Sequence, residues 1–171
     1  MPIPNVKRMT DKFICLMAFS FGEVAEKLVY VGKLSLSYID VAISFYQKIG
    51  LSLAHYIKER KVAFFWIGDA NKKEQMLGVW EVPVEKWRGN HFALHIPLDD
   101  MKNIKEWMES RGILPKKEFG KEPIVHTWMP AASIYFDDPD GNSLEFISIL
   151  PHEPRPELDV MYLSEWYALH E

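Results

Sequence analysis

One carboxylate stands in the middle of an apolar stretch near the end of the chain. Glu145 lies in residues 144–150, where β-branched and aromatic neighbours predict a strand. A charged residue in such a strand indicates either a solvated face or a functional site, because an unpaired buried carboxylate is costly. Residues 137–142, Asp-Asp-Pro-Asp-Gly-Asn, are dense in turn formers. We therefore predict that a β-hairpin holds Glu145 as a candidate site residue.

Two other clusters near this hairpin suggest chemistry but lack the spacing it requires. Asp137, Asp138 and Asp140 do not follow the ligand spacing of a calcium-binding hand, so turn capping explains them better. Ser133 and His126 could act as nucleophile and base, but no oxyanion signature or third member accompanies them. We therefore interpret the aspartates as turn structure and reject a serine nucleophile.

The elements that must position these residues form an internal repeat. The first copy comprises a strand at 34–36, a helix at 39–49 and strands at 53–57, 62–67 and 76–82. The second comprises a strand at 92–96, a helix at 99–111 and strands near 113–119, 133–136 and 144–150. Both helices show apolar spacing near 3.6 residues. The sequence therefore predicts an α+β protein with two tandem βαβββ modules, residues 28–84 and 89–150.

Two extensions flank the modules. Residues 1–27 form the first, and residues 151–171 form the second, in which Ser164 is expected to cap a short helix from Glu165. The longest apolar run, residues 13–21, is too short to span a bilayer, so no membrane association is expected.

Composition restricts the classes of partner and compartment. A net charge of −4 without Lys-Arg clusters argues against nucleic acid. The lone Cys15 excludes an intramolecular disulfide and suits a reducing compartment, so we expect a cytoplasmic protein.

Two βαβββ modules that end in Asp-Pro-Asp-Gly-Asn-x-Leu-Glu-Phe resemble the vicinal oxygen chelate superfamily. That group includes glyoxalase I, fosfomycin-resistance enzymes, extradiol dioxygenases and bleomycin-binding proteins. Residues 43–51, Ile-Ser-Phe-Tyr-Gln-Lys-Ile-Gly-Leu, and residues 89–94, Gly-Asn-His-Phe-Ala-Leu, also carry the resemblance, which covers residues 28–150. It implies that the modules form a cupped mixed β-sheet with helices on its outer face, and that the protein is a homodimer.

The resemblance also implies where a metal would bind. In enzymatic members the first and last strands of each module supply up to four ligands to a divalent ion. By position, His91 and Glu145 are the implied ligands in the second module, for Zn, Ni, Mn or Fe. The equivalent positions in the first module are Val31 and Gly78, whose side chains cannot bind a metal. The implied metal site is therefore half empty.

Other residues could complete the site or line the cup. Candidate third ligands lie on or beside the strands; they are His95, His126, Glu74 and Glu81. Lys33 shares a strand face with Val31, so it could pair with Glu145, bind an anionic substrate group or extend to solvent at the rim. Aromatic residues near the strands are candidates either for the core or for stacking on a flat ligand; they are Trp66, Trp80, Trp87, Trp128 and Tyr135.

Two functions follow from the resemblance. The first is metal-free binding of a small aromatic or antibiotic-like ligand, as in the bleomycin-resistance branch. The second is a metal-dependent lyase, isomerase or thiol transferase of the glyoxalase or fosfomycin-resistance type, in which Glu81 moves the proton. The empty ligand positions and the many tryptophans favour binding over catalysis.

Overall fold

The computed structural model describes residues 30–36, 38–117 and 122–170, and the side chains of residues 30–35 lie outside this description. The described chain divides into two compact units. The first unit contains residues 30–90 and Asp138–Asn142, and the second contains His91–Asp137 and residues 143–170. The N-terminal extension predicted over residues 1–27 falls outside the described residues.

The first unit is a βαβββ module with one mixed sheet. Its elements are β1 (Tyr30–Leu36), α1 (Ile39–Lys48), β2 (Ser52–Ile57), β3 (Val62–Ile67) and β4 (Gln75–Glu81). The strand order is β1-β4-β3-β2, in which β1 runs parallel to β4 and the other pairs are antiparallel. This is the βαβββ order that the sequence predicts for the first module.

Helix α1 packs one apolar face against this sheet. Ile39, Ala42 and Tyr46 are buried at helical spacing. The Tyr46 ring lies 5.5 Å from that of Phe65 in β3, centroid to centroid. Gly50 adopts a φ of 95°, the left-handed conformation that ends helices and that glycine tolerates best.

The second unit repeats this order with its helix in two pieces, and it adds one strand and one helix at its C-terminal end. It contains β5 (His91–His95), α2 (Leu98–Lys102), α3 (Ile104–Ser110), β6 (Ile124–His126), β7 (Ala131–Asp137), β8 (Ser143–Ile149), β9 (Met161–Tyr162) and α4 (Leu163–Ala168). The strand order is β5-β8-β7-β6-β9, and β5 runs parallel to β8. Each unit therefore has a mixed sheet of the same design, and the α+β class is confirmed.

The second unit departs from the prediction in its middle. The helix expected over 99–111 is interrupted at Asn103, whose side chain donates to the carbonyl of Asp99 at 3.3 Å and competes with the helical bonds. The strand expected over 113–119 does not form across 113–117, where an isolated bridge joins Pro115 to Phe136. Proline has no N–H with which to extend a ladder. Residues Ile124–His126 supply the strand instead.

The C-terminal helix begins earlier than predicted. Helix α4 starts at Leu163, and Ser164 is not its cap. The Leu163 N–H donates to the Pro123 carbonyl at 2.9 Å, and the carboxylate of Glu165 accepts the N–H of Tyr162 at 2.8 Å. Strand β9 leads directly into the helix, which moves the helix start toward the N-terminus.

The aspartate-rich turn between β7 and β8 is structural, as predicted. The Asp138 carboxylate accepts the backbone N–H groups of Asp140 and Asn142 at 3.0 and 2.8 Å. It also accepts the Tyr46 hydroxyl at 2.8 Å. Gly141 has a φ of 85°, as a tight turn requires. Every described contact of the Asp138 carboxylate is thus a bond within the fold.

In the part of the chain described, no helix has both the length and the apolar character needed to cross a bilayer.

Candidate functional site

His91 and Glu145 meet on neighbouring strands of the second unit. His91 opens β5, and Glu145 lies in the centre of β8, where its backbone pairs with Ala93. Residues 91 and 93 share one face of a strand, which brings the two side chains together. His91 Nε2 lies 2.8 Å from Glu145 Oε2, and His91 Nδ1 lies 3.3 Å from Ser143 Oγ. The histidine therefore bridges a carboxylate and a hydroxyl.

The Glu145 carboxylate is withdrawn from water. Glu145 is 5% exposed, so its charge depends on protein partners for stabilisation. The Nε2–H of His91 supplies one such partner in any protonation state that carries this proton. Ser143 was not identified from the sequence. Its position two residues before Glu145, on the same strand face, is the signal that would have found it.

Tyr135 and His126 extend this pair. Tyr135 lies opposite Glu145 in the β7–β8 ladder, and its hydroxyl is 2.8 Å from His126 Nε2. The ring centroids of Tyr135 and His91 are 5.9 Å apart. Four predicted site residues, His91, His126, Tyr135 and Glu145, thus come together on one sheet. We call this set the histidine–glutamate cluster.

Burial sets the protonation of His126. Burial lowers the pKa of His126 below its ordinary value of 6.5. The charge of Glu145 acts to raise this pKa, and the charge of His91 acts to lower it further. His126 is consequently neutral at pH 7, with one ring nitrogen able to donate and the other to accept. The cluster therefore offers a carboxylate, a phenol and a neutral imidazole to a ligand.

The strand registers identify the corresponding positions in the first unit. In β1 and β4, Gly78 pairs with Lys33, just as Glu145 pairs with Ala93. Val31 precedes Lys33 by the interval at which His91 precedes Ala93. The ladders therefore support the equivalence of Val31 with His91 and of Gly78 with Glu145.

A tryptophan fills the space beside Gly78. A β-carbon at position 78 would overlap the Trp80 ring and lie 3.3 Å from Phe64 Cε1. The Trp80 and Phe64 rings pack edge to face at 5.5 Å. A carboxylate at position 78 would thus require the indole to move, so the packing around Gly78 leaves no room for a ligand there.

The histidine–glutamate cluster, as placed, does not fit a tetrahedral zinc ion. Two ligand atoms on a tetrahedral zinc ion lie about 3.4 Å apart. The 2.8 Å between His91 Nε2 and Glu145 Oε2 fits an ordinary hydrogen bond. Among the residues that the structure describes, no three His, Cys, Asp or Glu side chains gather closely enough to hold a metal ion. A metal would need a rearranged pair and a third ligand.

The remaining candidate residues have other contacts, are exposed, or have side chains outside the description. Glu81 forms an ion pair with Lys61 and accepts the N–H of Ile39 at 3.1 Å. These bonds, first that from Lys61, lower the pKa of Glu81, which makes it a weak general base. His95 and Trp128 are exposed, and the side chain of Lys33 is outside the described part.

Comparison with known proteins gives a family and a fold. The family model described as the Glyoxalase/Bleomycin resistance protein/Dioxygenase superfamily matches residues 30–146. An integron cassette protein from the mobile metagenome of the Halifax Harbour sewage outfall is 24% identical, with a TM-score of 0.62 over 72% of this chain and 100% of that chain. No curated protein matches the chain.

Two further solved structures are similar. Lactoylglutathione lyase from Agrobacterium tumefaciens is 20% identical, with a TM-score of 0.55 over 72% of this chain and 94% of that chain. A glyoxalase/bleomycin resistance protein/dioxygenase from Nocardioides is 20% identical, with a TM-score of 0.56 over 81% of this chain and 93% of that chain. At these identities the likeness establishes the fold alone.

Proposed function

The chain belongs to the Glyoxalase/Bleomycin resistance protein/Dioxygenase superfamily, and on that premise we propose that it binds a small organic molecule at the histidine–glutamate cluster without a divalent metal. The observation that carries this proposal is the direct contact of 2.8 Å between His91 Nε2 and Glu145 Oε2. The nitrogen and oxygen atoms that would bind a metal are hydrogen-bonded to each other. Val31 and Gly78, at the equivalent positions of the first unit, add no ligand.

The chemistry of the cluster restricts the ligand class. A buried carboxylate attracts a hydrogen-bond donor or a cationic group, because such a partner stabilises its charge. The inclined rings of His91 and Tyr135, 5.9 Å apart, offer aromatic surface to a planar group. An aromatic or antibiotic-like molecule that carries a donor group meets both requirements.

A ligand panel tests this proposal. Catechol, bleomycin, fosfomycin and a methylglyoxal–glutathione adduct are added separately, with and without chelator, and the melting temperature is measured. A ligand that binds only the folded protein raises it. We expect a rise that chelator does not abolish and that Glu145→Gln removes, whereas His95→Gln, an exposed change on β5, preserves it. A rise that chelator abolishes would contradict metal-free binding.

A metal-dependent lyase, isomerase or thiol transferase is the second candidate. One observation favours it: His126 contacts Tyr135, which lies opposite Glu145 in the β7–β8 ladder and whose ring lies 5.9 Å from that of His91. His126 would be the third ligand, which would complete a His₂Glu set of the type found in zinc enzymes. This function requires that His126 leave Tyr135 and that the His91–Glu145 contact open. Stoichiometric metal in the purified protein would support it.

We also infer a homodimer and a cytoplasmic location. The dimer rests on the resemblance of residues 28–150 to a superfamily whose modules often associate across a two-fold axis. The location rests on the lone cysteine. Sedimentation that shows a monomer throughout the micromolar range would contradict the dimer.

A further inference from the structure

The C-terminal segment, residues 151–170, lies outside the family match and packs against the strand that carries His126. Strand β9 extends the sheet beside β6, with Tyr162 opposite Ile124 and Met161 opposite Val125. The Leu163 N–H donates to the carbonyl of Pro123 at 2.9 Å. These bonds hold the chain immediately before His126.

The same segment also holds the chain immediately after His126. Thr127 Oγ1 donates to the Leu158 carbonyl at 2.7 Å, and the N–H of Arg155 donates to the Thr127 carbonyl at 2.8 Å. Thr127 is buried. Because β6 has three residues, its placement depends on its neighbours, and bonds from residues 155–163 bracket His126 on both sides.

A hydrogen bond between His152 and Trp166 closes this segment on itself. The Trp166 Nε1–H donates to His152 Nδ1 at 2.9 Å, and the Trp166 side chain is fully buried. His170 Nδ1 donates to the Trp166 carbonyl at 2.8 Å. The His170 ring lies 4.2 Å from that of His152 and 4.5 Å from that of Trp166. The two ends of the segment therefore meet at one imidazole.

We propose that residues 151–170 form a clasp that positions His126, and that protonation of His152 releases it. Nδ1 of His152 accepts a hydrogen bond only while that nitrogen carries no proton. In the imidazolium form both ring nitrogens carry hydrogens, so the N–H of Trp166 then faces another donor. A second imidazole, His170, stacks on the same ring and disfavours the positive charge.

The groups around His152 favour its neutral form, in which Nδ1 can accept a hydrogen bond. Burial lowers the pKa of His152 below 6.5, and His170 lowers it further. Helix α4 presents His170 and Tyr167 to this ring, with the Tyr167 ring centroid at 6.2 Å. The Tyr167 hydroxyl is buried and has no hydrogen-bond partner among the described residues. Loss of the Trp166–His152 hydrogen bond would therefore leave a second buried polar group of this segment without that partner.

Amide hydrogen exchange tests this proposal on the full chain without ligand or metal, so its outcome is independent of the proposed function. Protection is measured at the Leu163 and Arg155 amides and in residues 123–128, at about pH 7.5 and about pH 5.5 after correction for intrinsic exchange. Between these conditions we expect protection to fall about fivefold, the loss that one hydrogen bond predicts. His55→Asn, an exposed change in the first unit, should preserve this fall.

Two variants test the acceptor and the donor of the His152–Trp166 hydrogen bond separately. In His152→Asn the side-chain oxygen can take the place of Nδ1 and cannot be protonated, so protection should remain at both pH values. Trp166→Phe removes the donor but keeps an aromatic ring, and it should lower protection at both. The proposal is overturned if wild-type protection is equal at both pH values, or if His152→Asn shows the wild-type fall.

Discussion

Gly78 lies beneath the indole of Trp80, so closely that a β-carbon at position 78 would overlap the ring. The register of β1 and β4 makes Gly78 the counterpart of Glu145. The first unit therefore has packed aromatic side chains at the position where the second unit has a carboxylate. This relationship separates the chain from a member that carries ligands in both modules, and it can be tested through stability.

Gly78→Ala should destabilise the protein by about 2 kcal/mol, because an added methyl group in a filled space forces its neighbours to move. Gly89→Ala is a matched control, since its β-carbon would lie in ordinary contact with Trp87, 3.4 Å away. Urea denaturation measures both. Combining Gly78→Ala with Trp80→Ala should cost less than the sum of the single changes. Additive costs would contradict the overlap.

His91→Ala should destabilise the protein by about 3 kcal/mol at neutral pH, because it leaves the buried Glu145 without its imidazole partner. His95→Ala, on the same strand, removes an exposed imidazole and should change stability by less than about 0.5 kcal/mol. The free energy of unfolding in urea distinguishes them. Equal effects would show that the His91–Glu145 contact contributes little.

Two tyrosines with opposite hydrogen-bonding states form a second matched pair. Tyr46→Phe should cost about 1.5 kcal/mol, because its hydroxyl donates to the buried Asp138 carboxylate. Tyr167→Phe should be neutral or stabilising, because its buried hydroxyl has no partner among the described residues. Thermal unfolding compares the two. A larger cost at Tyr167 would show that its hydroxyl is bonded in solution.

Stability should decrease in mild acid, in part through His126. The pKa of His126 is lowered on folding, so the unfolded chain binds more protons than the folded chain below about pH 6.5. The free energy of unfolding therefore decreases as the pH is lowered through that window. The slope is at most about 1.4 kcal/mol per pH unit for one group. His126→Gln should reduce the fall measured between about pH 7.5 and about pH 5.5. An unchanged fall would assign the effect to other groups.

Much of the fold follows from patterns that are local in sequence. Helix α1 is marked by apolar residues at helical spacing and by Gly50, and the hairpin by its dense turn residues. Strands β6 and β9 were missed because they have three and two residues, too few for alternation to appear. Their formation depends on pairing with strands that are distant in sequence, and local sequence patterns carry no information on such pairing.

The candidate site divides in the same way. The pairing of His91 with Glu145 could be expected from the repeat and from the family resemblance. The contact between His126 and Tyr135 could not, because it needs β6 in place beside β7. The packing of Trp80 over Gly78 could not be predicted from the sequence either. A strand pattern assigns a side chain to one face of the sheet, but it does not give the rotamer that the side chain adopts there.

We propose that the His91–Glu145 pair is closed by a direct hydrogen bond and holds no divalent metal. The most direct test is the metal content of protein purified without chelator, compared with that of His91→Ala. We predict less than about one tenth of an ion per chain in both, and a melting temperature that added Zn, Ni, Mn or Fe leaves unchanged, because a ligand bound only by the folded state would raise it. Stoichiometric metal in the wild-type protein, lost in His91→Ala, would contradict the claim.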